Sequence, residues 1–320
     1  MPSFSHYHSM TISFKQSLKT VFVIIFILSG VIQGIAQIAL PNMSVVCVRE
    51  LPGHSKELGT QVLMGIPVKV ISREGQWLKV KTVDGYDGYI IEHSLVILSD
   101  EDYDDWRQSD RVIYSDFSEG IIWADTDCSV PVSDIVPGCI VRLLSTGSDS
   151  GFSKVSLPDG RVGFIRTSAL TDLSEWASQQ FDASLMLGYA NAQMGRPYLW
   201  GGTSGKSMDC SGLTWVAAWL NGRVLPRNAS AQAKVGERVS RSSDLQPGNL
   251  LFFGVISSRR VNHVAIYEAD GLYIESSGRV RRSRFKAPQA GKREGYLHSV
   301  DISGYPPVME SDAAQIFFLK

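Results

Sequence analysis

Cys210 and His263 are the residues of this chain whose types and settings suit a nucleophile and its base. Cys210 stands at the head of "MDCSGLTWVAAWLNG", where Leu213, Val216, Ala217 and Leu220 recur at helical spacing and Gly222 closes the run. A helix N-terminus carries partial positive charge and unpaired N–H groups. Both favour a thiolate over a thiol, and the same N–H groups can receive the oxyanion of an acyl-transfer transition state. Asp209 suits the N-cap position, and Ser211 with Gly212 gives an uncrowded first turn. A buried structural cysteine is the competing reading of the same position.

A nucleophilic cysteine needs a base, and six histidines are on offer. His6 and His8 fall in the leader described below, His54 and His93 in the first β-rich segment, and His298 in a polar stretch near the C-terminus. His263 remains, on the strand "NHVAIYE", where it shares one face with Ala265 and Tyr267. The following strand carries Glu275. A loop of three to five residues around Glu268 to Gly271 would set Glu275 beside His263, whereas a strict two-residue turn at Asp270-Gly271 would set Gly278 there instead. The spacing permits a Cys210–His263–Glu275 triad without forcing it.

The surrounding pattern is α+β. "FDASLMLGYANAQMG" has helical spacing through Leu185, Tyr189 and Ala192, with a stop at Gly195 and Pro197. Downstream, "NLLFFGVI", "RVNHVAIYEAD" and "GLYIESSGRV" read as strands parted by turns at Pro247-Gly248 and Asp270-Gly271.

Upstream lies an internal repeat. Laying Asp84-Gly85 over Asp159-Gly160 aligns Gly88 with Gly163, Tyr89 with Phe164 and Ile90 with Ile165. Each copy has short alternating apolar runs broken by Gly, Asp and Pro, the pattern of a small all-β barrel. These predict SH3-like domains over 41–98 and 108–172, with the acidic "SDEDYDDW" between them as a solvated linker.

At the N-terminus, Lys15 and Lys19 precede an apolar stretch from Val21 that softens at Gly30 and Gln33. Gly34 and Ala36 predict signal-peptidase cleavage after Ala36, so 1–36 reads as a leader and the protein as exported, periplasmic or secreted. An uncleaved anchor is the alternative, against which the apolar core is shorter than the ~20 residues a spanning helix needs. Export permits disulfides, and Cys128 could pair with Cys139, but spacing does not decide it. No cysteine spacing resembles a zinc-ligand pair, and neither a metal nor an organic cofactor is expected. A net charge of −1 marks no nucleic-acid binder.

From Phe181 onward, the ordered set "RPYLWGG", "MDCSGLTWVAAWLNG", "LPRNASAQ", "LQPGNLLFF" and "NHVAIY" resembles the NlpC-type cysteine peptidases that cut bacterial cell-wall peptides. The two upstream repeats further resemble the subgroup that releases L-Ala-γ-D-Glu from murein peptides. The resemblance implies a papain-like catalytic domain over 180–320 behind two SH3-like barrels, with Cys210 as nucleophile and His263 as base. It implies Tyr198 near the oxyanion, and Trp200, Asp209 and Ser211 around the L-Ala-γ-D-Glu portion. It also implies an acidic residue and a tyrosine of the first barrel facing the substrate's free amine. Glu57 and Tyr86 are the candidates, with Glu50 and Tyr89 competing; ordinary barrel packing is the plainer role of both tyrosines.

Two residues depart from that family. Glu275 stands where a histidine is common, and Asn228, in "PRN", stands where aspartate is often seen. A carboxylate can still orient His263, while Asn228 lacks the charge to pair an ammonium. The expected enzyme is a monomer that hydrolyses the γ-D-glutamyl to diamino-acid bond of murein peptides with a free N-terminal L-Ala, as in cell-wall recycling. A hydrolase of intact wall anchored by the SH3-like pair and a non-catalytic murein-peptide binder are the alternatives.

Overall fold

The computed structural model describes residues 37–147, 151–284 and 294–319, so the expected leader lies outside the described residues. The chain first builds a seven-stranded sheet from β1 (Ile38–Pro41), β2 (Val45–Arg49), β3 (Leu58–Leu63), β4 (Val68–Glu74), β5 (Trp77–Lys81), β6 (Asp87–Ile91) and β7 (Leu95–Ile97). Their spatial order is β3-β2-β6-β5-β4-β1-β7. Alternation puts Val46, Val48, Val62, Leu78, Val80 and Ile90 on the inner face, where they form a closed small core.

A second seven-stranded sheet follows: β8 (Arg111–Tyr114), β9 (Gly120–Trp123), β10 (Pro131–Ile135), β11 (Ile140–Thr146), β12 (Phe152–Ser156), β13 (Val162–Arg166) and β14 (Leu170–Asp172). Its order, β10-β9-β13-β12-β11-β8-β14, repeats the first strand for strand. The aligned glycines explain the echo. A Cβ on Gly88 would come within 2.6 Å of Val48 Cγ1 and 2.8 Å of the Arg49 carbonyl. One on Gly163 would meet Ile122 Cγ2 at 2.5 Å and the Trp123 carbonyl at 2.6 Å. The same backbone approach, in the same place, excludes any side chain from both copies.

The acidic segment between the sheets corrects the expectation of a solvated linker. Asp100–Gln108 is an α-helix capped by Ser99, whose hydroxyl accepts the Asp102 N–H. Asp100, Glu101 and Asp102 lie in its first turn, where the helix dipole favours negative charge. Tyr103 and Trp106, three positions apart, face inward: Trp106 is buried and the Tyr103 hydroxyl donates to the Ile316 carbonyl near the C-terminus. A run of charges hid an amphipathic helix.

The remaining part is a helical layer against an antiparallel sheet. After helices Leu173–Ser178 and Ala183–Ala192, a short hairpin of β15 (Thr203–Ser204) and β16 (Ser207–Met208) leads into the Cys210–Leu220 helix. The sheet comprises β17 (Glu237–Val239), β18 (Leu250–Val255), β19 (Arg260–Ala269), β20 (Leu272–Ser277), β21 (Arg279–Arg284) and β22 (Glu294–Asp301), ordered β17-β22-β18-β19-β20-β21. The polar segment that holds His298 is thus strand β22, with the ring stacked on Phe252.

Every residue of the Cys210–Leu220 helix is buried. At its far end Trp219 packs against Trp176 and Phe317 with Trp215 stacked on it, and the Trp219 indole N–H donates to the Gly138 carbonyl of the second sheet at 3.0 Å. One hydrophobic core therefore runs from Leu63 through Ile113 and Ile165 to Val264. All four cysteines are free, so Cys128 and Cys139 form no disulfide here, and Cys139 is a buried thiol whose desolvation pushes its pKa to about 12. Among the described residues no helix is long and apolar enough to cross a membrane.

Candidate active site

Cys210 is the first residue of its helix, and Asp209 is the N-cap, its Oδ1 accepting the Gly212 N–H at 2.7 Å. The first turn is crowded from outside, since a Cβ on Gly212 would strike the Gly202 carbonyl. Gly212 is what lets the "LWGG" turn lie against the helix start.

Asp209 is buried and fully engaged. Its Oδ2 accepts from the Gly201 N–H at 3.0 Å, and the Arg227 guanidinium grips both oxygens, at 2.7 and 3.1 Å. Arg227 also donates to the Ser211 hydroxyl at 2.9 Å and, through Nε, to Thr60 of β3 at 2.7 Å. Its side chain is 2% exposed. One buried arginine thus joins the helix cap under Cys210 to the first sheet. Thr60 also meets Thr203, and Gln61 Oε1 accepts from the Thr203 N–H at 2.9 Å.

His263 and Glu275 meet, though in neither register considered from sequence. The turn between β19 and β20 is the two-residue Asp270-Gly271, both with positive φ (50° and 74°). A bulge at Glu268 then shifts the pairing by one, so that Tyr267 faces Tyr273 and Ile266 faces Ile274. Glu275 and His263 become diagonal neighbours on one face, and His263 Nε2 lies 2.6 Å from Glu275 Oε2. The second carboxylate oxygen accepts from Arg281 Nε at 3.0 Å and the Ser283 hydroxyl at 2.6 Å, both on β21.

Burial works against a charged His263, but hydrogen bonding to Cys210 and Glu275 and their negative charge outweigh it, raising its pKa to about 9. Burial likewise works against the Glu275 carboxylate, yet bonds from His263, Ser283 and Arg281 hold it down at about 2. The pair therefore favours imidazolium and carboxylate together at neutral pH. Its contribution to stability fades on the alkaline side as pH rises through His263's raised pKa, and on the acid side as pH falls through Glu275's lowered one. With Nε2 taken by Glu275, Nδ1 is the ring atom left to exchange a proton with Cys210. Glu275→Gln should lower kcat/KM on the order of 10²- to 10⁴-fold and move the alkaline limb of its pH profile to lower pH. An unmoved limb would show that Glu275 does not hold the proton on His263.

Cys210 opens into a cavity of about 710 Å³ whose lining includes Tyr198, Trp200, Asp209, Ser211 and Asn228 together with Glu50, Glu57 and Tyr86 of the first sheet. Tyr198 has its pKa pushed up to about 12, by burial first and then by the charges of Cys210 and Asp209, so its hydroxyl stays a donor at neutral pH. Trp200 is 63% exposed at the cavity wall. Tyr86 donates to Glu50, and its pKa is raised by burial and by that carboxylate. Tyr89 is turned elsewhere, onto Glu74 at 2.8 Å. Glu50, the competing choice, is thus the acidic partner of Tyr86, while Glu57 lines the same cavity. Asn228 is exposed and caps no helix with its side chain.

Sequence reasoning passed over Arg227, Arg281, Ser283 and Thr60. Arg227 sits beside the Asn228 that drew notice. Arg281 could have been found, since "ESSGRVR" places it as far after Gly278 as Glu275 lies before it, and the two strands pair Glu275 with Arg281.

A cysteine sulfur at a helix N-terminus, a charged histidine beside it and a carboxylate behind the histidine are groups that could serve covalent acyl transfer. Comparison with known proteins agrees with that class. Residues 195–295 match the NlpC/P60 family model and residues 44–96 the bacterial SH3 domain model. The fold is an NlpC/P60 catalytic domain with a β-rich SH3-like region in front of it.

Among curated proteins the chain is 28% identical over 235 residues to dipeptidyl-peptidase 6 of Lysinibacillus sphaericus, covering 71% of this chain and 82% of that one. It is also 28% identical to a gamma-D-glutamyl-L-lysine dipeptidyl-peptidase of Bacillus cereus, over 70% of this chain and 68% of the relative. A crystal structure of an NlpC/P60 family protein from Bacillus cereus superposes with a TM-score of 0.72 at 22% identity, covering 82% of this chain and 99% of that one. That likeness is one of fold. The SH3 model covers the first sheet alone; the second shares its strand order.

Proposed function

We propose that the protein is a cysteine endopeptidase that hydrolyses the γ-D-glutamyl to diamino-acid bond of murein peptides with a free N-terminal L-Ala, releasing L-Ala-γ-D-Glu. The observation that carries this reading is the shared cavity: Cys210 opens into a space whose other wall is Glu50, Glu57 and Tyr86 of the first sheet. A cleft closed by a domain on one side suits the end of a short peptide, and acidic side chains there suit an ammonium. The name of the Bacillus cereus relative, a gamma-D-glutamyl-L-lysine dipeptidyl-peptidase, supports a bond of the same kind.

In this reading the Cys210 sulfur attacks the γ-carbonyl carbon, and the carbonyl oxygen takes the electron pair, facing the Tyr198 hydroxyl and the helix N–H groups. Collapse expels the diamino acid's amine, which takes the proton from His263 Nδ1, and leaves a γ-glutamyl thioester on Cys210. Water then gives a proton to Nδ1 and attacks the thioester carbon. Departure of the sulfur regenerates the thiolate–imidazolium pair, with L-Ala-γ-D-Glu as product. Tyr86 and Glu50, with Glu57 near, take the amine in place of the missing Asn228 charge, and the second sheet serves as a further SH3-like domain. Export and a monomeric state belong to the same reading.

The test compares free and N-acetylated L-Ala-γ-D-Glu-meso-diaminopimelate with intact sacculi. Cleavage of the free peptide and almost none of the other two is expected. Equal cleavage of the acetylated peptide, or release from sacculi, would move the assignment to a hydrolase of the wall itself.

A further inference from the structure

Arg260 stands in the wall of the Cys210 cavity, beside Val261 and Asn262. A regular strand would not have put it there. β18 and β19 pair Phe253 with His263 but Gly254 with Val261, so Asn262 is one residue too many. Side chains alternate along a strand, and three steps from His263 would leave Arg260 on the opposite face. The extra residue restores parity and turns Arg260 to the side of His263, a use of bulges that recurs next to active sites. Gly254 faces the bulge without a side chain, where a Cβ would strike the Arg260 carbonyl.

The charges around the cavity make this placement informative. Its charged lining residues are Glu50, Glu57, Asp209 and Arg260. Asp209 is neutralised by Arg227, and Glu50 is engaged by Tyr86. Arg260 is exposed to the cavity, and among the described residues no ion pair holds it. The cleft therefore offers carboxylates from the first sheet and one uncommitted guanidinium from β19, a complement to a ligand bearing both an ammonium and a carboxylate.

We propose that Arg260 binds a carboxylate of the substrate and makes the site select peptides that carry it free over their amidated forms. The inference rests on the proposed function. A γ-linked D-Glu keeps its α-carboxylate on the very residue whose γ-carbonyl is attacked, and the diamino acid carries a second carboxylate when it ends the peptide. A planar guanidinium fork matches either one through paired N–H donors. An amide in its place loses the charge and presents donors of its own to a group that can only donate.

Calorimetry on Cys210→Ala, which leaves the peptide uncut, tests this with L-Ala-γ-D-Glu-L-Lys, its D-Glu α-amide and its C-terminal amide. One of the amides is expected to bind about tenfold or more weakly than the free peptide, the range of a charge-assisted pair. In Cys210→Ala/Arg260→Met that difference should vanish, with the disfavoured amide's affinity unchanged. Which amide is disfavoured identifies which carboxylate Arg260 reads. An Arg260→Met change that weakens all three peptides alike, or none, overturns the proposal, as does failure of Cys210→Ala to bind any of them. Carboxylate-selective binding by a native enzyme that cuts nothing would uphold Arg260 and remove the endopeptidase reading instead.

Discussion

Cys210→Ala is expected to lower kcat/KM on the order of 10⁴- to 10⁶-fold, the scale on which an enzyme loses its covalent route. The protein itself should remain folded. Cys210 is 8% exposed and loses a single sulfur atom, so the stability cost is about 1 kcal/mol. Peptide affinity should persist, because Glu50, Glu57, Tyr86, Trp200 and Arg260 are untouched. Turnover that survives the substitution would exclude Cys210 as the nucleophile. Loss of binding along with turnover would contradict that persistence and, with it, the carboxylate site assigned to Arg260.

Arg227→Met is expected to cost about 3 to 5 kcal/mol, because it leaves the buried Asp209 without its partner. The damage should not stop at stability. Asp209 caps the helix that presents Cys210, and Arg227 ties that cap to Thr60 of the first sheet. A shift of about 1 Å at the nucleophile is enough to cost ~10²-fold in rate, so activity should fall below what the remaining folded fraction accounts for. Arg227→Lys should rescue neither property well, since an ammonium cannot span both Asp209 oxygens while reaching Thr60 and Ser211. Denaturant midpoints read the first effect and kcat/KM of the folded enzyme the second. A stable, fully active Arg227→Met protein would mean that the first sheet is docked independently of the catalytic helix.

The two helices around Cys210 were readable because their signals are local. Asp182 and Asp209 are cap residues, Gly195 and Gly222 are positive-φ stops, and apolar residues fill the turns between. The repeat was readable for a related reason: Gly88 and Gly163 answer the same steric demand at equal spacing from their turns. The acidic helix misled because its inward face is only Tyr103 and Trp106, outnumbered by carboxylates that suit its N-terminus. The β19–β20 register was out of reach, since one bulge changes every pairing beyond it and no residue type announces a bulge at Glu268. Arg227 escaped because its partners lie at Thr60, Gly202 and Asp209, far apart in the chain. Buried ion pairs of that kind are visible only once the strands have been brought together.

The most direct measurement is mass spectrometry of L-Ala-γ-D-Glu-L-Lys and L-Ala-γ-D-Glu-meso-diaminopimelate after incubation with the native enzyme. L-Ala-γ-D-Glu and the free diamino acid should appear in equal amounts, with no other fragment. Cleavage at the L-Ala bond, or tight binding of both peptides with neither cut, would contradict the account.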